Sequence, residues 1–125
     1  MKEKIIFILG YLFFTIVLLI HILIIAKIIP FTWINGGRSE SYEAQLQLSL
    51  SNFIIVFIGY LYVFVNQRFQ QLRSSKLFKV FKWITVIFWS VSLISQFLGT
   101  SFEIFVMAPV VVFGIYVHFR IARLG

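Results

Sequence analysis

The stretch LQLSLSNFIIVFIGYLYVFVNQR, residues 46–68, decides whether this chain has three long apolar segments or four. Its uninterrupted apolar run, Phe53 to Val65, gives only about 20 Å of helix at ~1.5 Å per residue. A bilayer's hydrocarbon core is about 30 Å thick, so roughly seven further residues would have to lie inside it. Extension toward the C-terminus draws Arg68 into lipid, whereas extension toward the N-terminus draws in only the uncharged LQLSLSN. The expected span therefore runs backwards, over about 45–66, and carries Ser49 and Asn52 with it.

The same stretch alternates polar and apolar residues from Gln45 to Ser51, which is the period of a half-buried strand. A lone strand at a membrane surface leaves its backbone groups unpaired at several kcal/mol each, so helix is the expectation. On a helix Gln45, Ser49 and Asn52 share one face, while Gln47 and Ser51 fall nearly opposite.

Working outward, three more segments meet the length test for a membrane-spanning helix, at about 5–28, 77–98 and 102–119. Of the 125 residues 61% are hydrophobic and 12% charged, against about 25% charged in soluble domains. The mean hydropathy is +1.00. The expected fold is an all-α polytopic membrane protein, a four-helix bundle in which residues 1–125 form a single domain. The first span is too long for a signal peptide, and no A-x-A-like cleavage site follows it, so it is expected to be retained.

Basic residues give the orientation. Lys2, Lys4, Arg68, Arg73, Lys76, Lys79, Lys82, Arg120 and Arg123 fall on one side of the four spans, and Lys27 and Arg38 on the other. The positive-inside rule then places both termini in the cytoplasm. The localisation that follows is a cell membrane, most simply a bacterial plasma membrane. It also accounts for the net charge of +7 without a nucleic-acid partner.

The stretch PFTWINGGRSESYEAQLQLSLSN, residues 30–52, is the longest polar interruption in the first half of the chain. Pro30 is expected to stop the first helix, Gly36 and Gly37 to supply a tight turn, and Ser39 to cap the second helix, with Glu40 and Glu43 favoured by its dipole. Trp33 suits an interfacial aromatic belt. The free N–H groups at Gly36 and Gly37, beside Arg38, also suit a small anion site.

Polar residues inside apolar spans are costly and usually face a bundle interior. In the third span Thr85, Trp89, Ser92 and Gln96 form one helical stripe. With the topology above, His21, Arg38, Ser49, Asn52, Gln96 and Glu103 all belong to the outer half and form a candidate ligand pocket. The plainer alternative is interhelical hydrogen bonding, with Glu103 paired to Arg38 or Lys27 and with Ser95 and Gly99 admitting a neighbouring helix. Lys76, Lys79 and Lys82, set among apolar side chains, are candidates for lipid-headgroup contact. Pro109 interrupts the last span, and His118 is expected at an interface.

Cysteine is absent, and two distant histidines make no metal cluster, so neither metal nor cofactor is expected. Four-helix quinone reductases work through cysteine pairs, and small multidrug transporters of similar size through a first-span glutamate where this chain has His21; neither chemistry carries over. No motif pairs a nucleophile with a base, and no enzyme is expected. The leading functional expectation is a non-enzymatic integral membrane protein that packs with itself or a membrane-protein partner in the lipid bilayer. The alternative is a small-molecule or lipid binder or transporter using the outer pocket.

Overall fold

A computed structural model describes residues 2–125. The chain is helical throughout its long segments: α1 (Glu3–Ile25), α2 (Tyr42–Arg68), the single turn α3 (Gln70–Arg73), α4 (Lys76–Phe97) and α5 (Glu103–Ala122). Apart from α3, each is long and apolar enough to cross a membrane. The alternating 45–51 segment is helix, because only a helix pairs its backbone groups within the segment.

The boundaries have local causes, and two differ from expectation. Pro30 does not end α1. Lys27 adopts a left-handed φ of 62°, its N–H reaches the Ile24 carbonyl, and the Ile28 N–H reaches that of Leu23. This is a Schellman ending, completed before proline is met, with lysine where glycine is usual. Helix α2 is capped by Ser41 rather than Ser39. The Ser41 Oγ accepts from the Ala44 N–H at 3.2 Å, while the Ser39 hydroxyl donates to Gln45 Oε1 at 2.8 Å. Ser75 caps α4 in the same way through Phe78. The first turn of α5, Glu103–Met107, is a π-helix, and Pro109 follows it after one residue, Ala108. A wide turn and a missing N–H thus coincide at one irregular point.

Helix α1 is the centre of the bundle. It packs on α2 and on α5, and α5 packs on α4, whereas α2 meets α4 only toward the terminal end, where Tyr62 packs on Phe78 and Phe81. The core joins Phe13, Phe14, Val56, Val63, Val117 and Ile121 to Trp89. Two glycines admit two of its rings, with Phe14 seated against Gly59 and Phe13 against Gly114. Between α2 and α4 the bundle is open along part of its length.

The two ends of the bundle differ. One carries residues 26–41 and the α4–α5 turn and is here called the loop end. Its loop folds across the bundle: Trp33 packs on Phe102 at 5.5 Å, Thr100 Oγ1 donates to the Trp33 carbonyl, and Ile34 is buried with Ile20, Ile24 and Ile29. The other, the terminal end, gathers both chain ends and α3.

Candidate functional site

Five of the six residues grouped from sequence, His21, Arg38, Asn52, Gln96 and Glu103, line one cavity of about 280 Å³ at the loop end. They arrive from α1, the loop, α2, α4 and α5. Ser92 and Ser95 continue the α4 stripe along the wall, and Leu48, Arg38 and Ser95 form an exposed rim. The sixth residue, Ser49, lies behind the wall and is fully buried. Its hydroxyl meets His21 Nδ1 at 3.2 Å and accepts from Gln45 Nε2 at 3.3 Å. A hydroxyl shared in this way and closed off from the cavity positions its neighbours and is not placed to attack a substrate.

Glu103 departs from its expected pairing. Its Oε1 accepts the Gly36 N–H at 2.6 Å and the Thr100 N–H at 3.2 Å, and neither Arg38 nor Lys27 forms an ion pair with it. The anion that fills the glycine turn is therefore the protein's own carboxylate. Gly36 has a φ of 63°, which suits glycine and turns its N–H toward Glu103. Gly99 serves the same group. A Cβ there would lie 2.7 Å from the Glu103 carboxyl carbon, so within the chain Gly99 makes room for that carboxylate.

Arg38 is exposed, and its one hydrogen bond among the described residues goes to Asn35 Oδ1 at 3.5 Å. Lys27 sits 4.4 Å over the Tyr42 ring, away from the cavity. Gln96 Oε1 is buried and has no partner among the described residues. The cavity wall thus brings a guanidinium and a carboxylate together, with the enclosed Gln96 Oε1 beside them.

Below this cavity, toward the terminal end, a second opening of about 230 Å³ lies between α2 and α4. Its walls are Ile55, Ile58 and Tyr62 on one side and Phe81, Ile84 and Phe88 on the other, over a floor of Phe14 and His118. Trp89 belongs to both spaces. His118 is buried and not interfacial. Its ring stacks on Tyr62 at 5.5 Å and 9°, and its Nδ1 meets the Gly114 carbonyl at 2.7 Å. An i−4 glycine carbonyl and a ring of aromatic neighbours make a core position, a combination that spacing along one helix does not reveal.

At the terminal end Lys76 and Lys79 are exposed, but Lys82 is fully buried and donates to the Leu124 carbonyl at 2.6 Å. Of the three lysines grouped for headgroup contact, Lys82 has its ammonium turned inward onto the chain's own C-terminal segment. Arg73 is buried as well, bonded to the Asn66 carbonyl at 3.2 Å and to Glu3 at 3.1 Å. These links tie α1, α2, α3, α4 and the C-terminal residues at one end.

Fold and site together describe an all-helical chain with four helices of membrane-crossing length, a polar chamber at one end and a lateral apolar opening beneath it. Set against protein-family models, curated proteins and solved structures, the chain matches none.

Proposed function

We propose that this chain is a multi-pass membrane protein, cytoplasmic at both termini, whose loop-end cavity binds the polar head of a small molecule or lipid. One observation carries the reading: charged and hydrogen-bonding side chains from four helices and a loop line a single cavity of about 280 Å³, where the exposed Arg38 guanidinium has no carboxylate partner among the described residues. Polar groups kept solely to hold helices together pair across the seam. Arg38 and Gln96 Oε1 do not. The orientation rests on the nine basic residues gathered at the terminal end, against Lys27 and Arg38 at the other. The reading is non-enzymatic, since the cavity's polar groups bind and orient.

A second reading has its own support. Only Lys82 and Trp89 of α4 are buried, which leaves a long apolar face for a second copy or a membrane partner. Disulfide trapping between copies carrying Val91→Cys would reveal self-association through that face.

The cysteine-free chain allows a direct test. Single cysteines at Asn52, Gln96, Glu40 and Ser74 are exposed in intact cells to a membrane-impermeant thiol reagent. Labelling at Glu40, Asn52 and Gln96 but not Ser74 is the expected result. Labelling at Ser74 without Glu40 inverts the topology. A labelled Glu40 with Asn52 and Gln96 both dark makes the cavity a packed seam and ends the ligand reading.

A further inference from the structure

Resting on that reading, we propose that the ligand is a glycerophospholipid with a primary ammonium headgroup, held with its head in the loop-end cavity and one acyl chain in the α2–α4 crevice. The two spaces meet at Trp89, polar above and apolar below. That is the division of an amphiphile. From Trp89 to Phe81 the crevice follows eight residues of α4, about 12 Å at ~1.5 Å per residue. One leaflet of the hydrocarbon core is about 15 Å deep, half of ~30 Å. Trp89 already lies eight residues, about 12 Å, below Phe97 at the outer end of α4, so an acyl chain held from the loop end enters the crevice near the bilayer midplane and extends past it into the inner half.

The crevice excludes the obvious rival, a partner helix. At its base Tyr62 packs on Phe81 at 5.9 Å and accepts from Thr85 at 3.4 Å, closing α2 against α4. A helix is about 10 Å across and would need the groove open along its whole length. An acyl chain needs only the upper part.

The cavity's charges choose the head. Arg38 offers a guanidinium with no carboxylate partner among the described residues, matched to a phosphate. The Glu103 carboxylate and the orphan Gln96 Oε1 call for a cationic donor. A primary ammonium brings three N–H donors beside the phosphate, whereas a quaternary ammonium brings none. Lateral entry between α2 and α4 needs no opening of the helix bundle.

The test uses the full chain in phosphatidylglycerol nanodiscs and a phosphatidylethanolamine probe bearing a diazirine at the end of one acyl chain. After irradiation, adducts mapped by mass spectrometry are expected on Ile58, Phe81 and Ile84 at least fivefold above Leu12 and Phe105, which are exposed on other faces. Ile84→Trp, at a half-exposed position that tolerates bulk, should lower crevice adducts at least fivefold. Unlabelled phosphatidylethanolamine should compete at least fivefold better than phosphatidylcholine, and Gln96→Leu should erase that difference. Even labelling of all faces, or crevice adducts unchanged by Ile84→Trp, overturns the acyl-chain assignment. Equal competition by phosphatidylcholine overturns the headgroup. Either failure leaves the polar pocket standing if Asn52→Cys and Gln96→Cys still label, whereas dark cysteines there remove the pocket itself.

Discussion

The Glu103 carboxylate accepts the Gly36 backbone N–H at 2.6 Å, joining residues 67 apart in sequence. This bond, with the Thr100 N–H on the same oxygen, fastens the 26–41 loop over the cavity mouth. Hydrogen bonds to a charged group contribute about 1.5–3 kcal/mol. Glu103→Ala is therefore expected to release the loop and speed tryptic cleavage after Arg38 at least tenfold in detergent, since a factor of ten corresponds to about 1.4 kcal/mol. Glu103→Gln keeps a carbonyl acceptor worth a neutral bond's ~1 kcal/mol, so it should accelerate cleavage by about fivefold less than Glu103→Ala does. Equal effects from the two variants would mean that charge and bond are both incidental.

Phe14 on Gly59 and Phe13 on Gly114 set the distances from α1 to α2 and α5. A methyl group at either glycine enters the ring's space, and overpacking of this kind costs about 1–3 kcal/mol. Gly59→Ala and Gly114→Ala are each expected to lower the midpoint of thermal unfolding in detergent. Ser95→Ala, at an exposed rim position, should leave it unchanged.

Ser49 contacts both His21 and Gln45 from a fully buried position. Interhelical hydrogen bonds in membrane bundles average about 0.6 and reach about 1.7 kcal/mol. Ser49→Ala is expected to cost an amount in that range, because the remaining partners stay buried. Ser51→Ala serves as its control, since Ser51 is exposed and bonds only its own helix at Gln47. Equal unfolding free energies for the two variants would place Ser49 outside the seam.

Exposed Lys76 and Lys79 and buried Lys82 divide one basic run into two roles. Each basic residue near an anionic surface contributes about 1 kcal/mol, roughly a fivefold preference. Lys76→Gln and Lys79→Gln are each expected to weaken selection of phosphatidylglycerol over phosphatidylcholine by about that factor, read by fluorescence quenching with brominated lipids. Lys82→Met should not change lipid selection. Its ammonium has one carbonyl partner, and replacing such a buried charge by an apolar side chain is often neutral or stabilising.

Much of this protein is legible in its residues one stretch at a time. Hydropathy is a local sum, so the four long helices and even the backward extension of α2 through Ser49 follow from counting apolar length against a bilayer. The grouping of His21, Asn52, Gln96 and Glu103 is also legible, because position along a span sets height in a bundle. Height alone does not choose partners. That Glu103 takes the Gly36 N–H and leaves Arg38 free depends on how far the loop folds across the α4–α5 turn. That Lys82 and Arg73 turn inward depends on the Leu124 and Asn66 carbonyls and on Glu3 reaching the same end. The gap between α2 and α4 belongs to no single helix. It arises because Phe13 and Phe14, seated on glycines, draw α2 and α5 close to α1, while α4 packs mainly on α5 and reaches α1 through Trp89 and α2 only near Tyr62. Chain-local patterns encode length and height; side-chain volume at the crossings decides which helices meet and which stand apart.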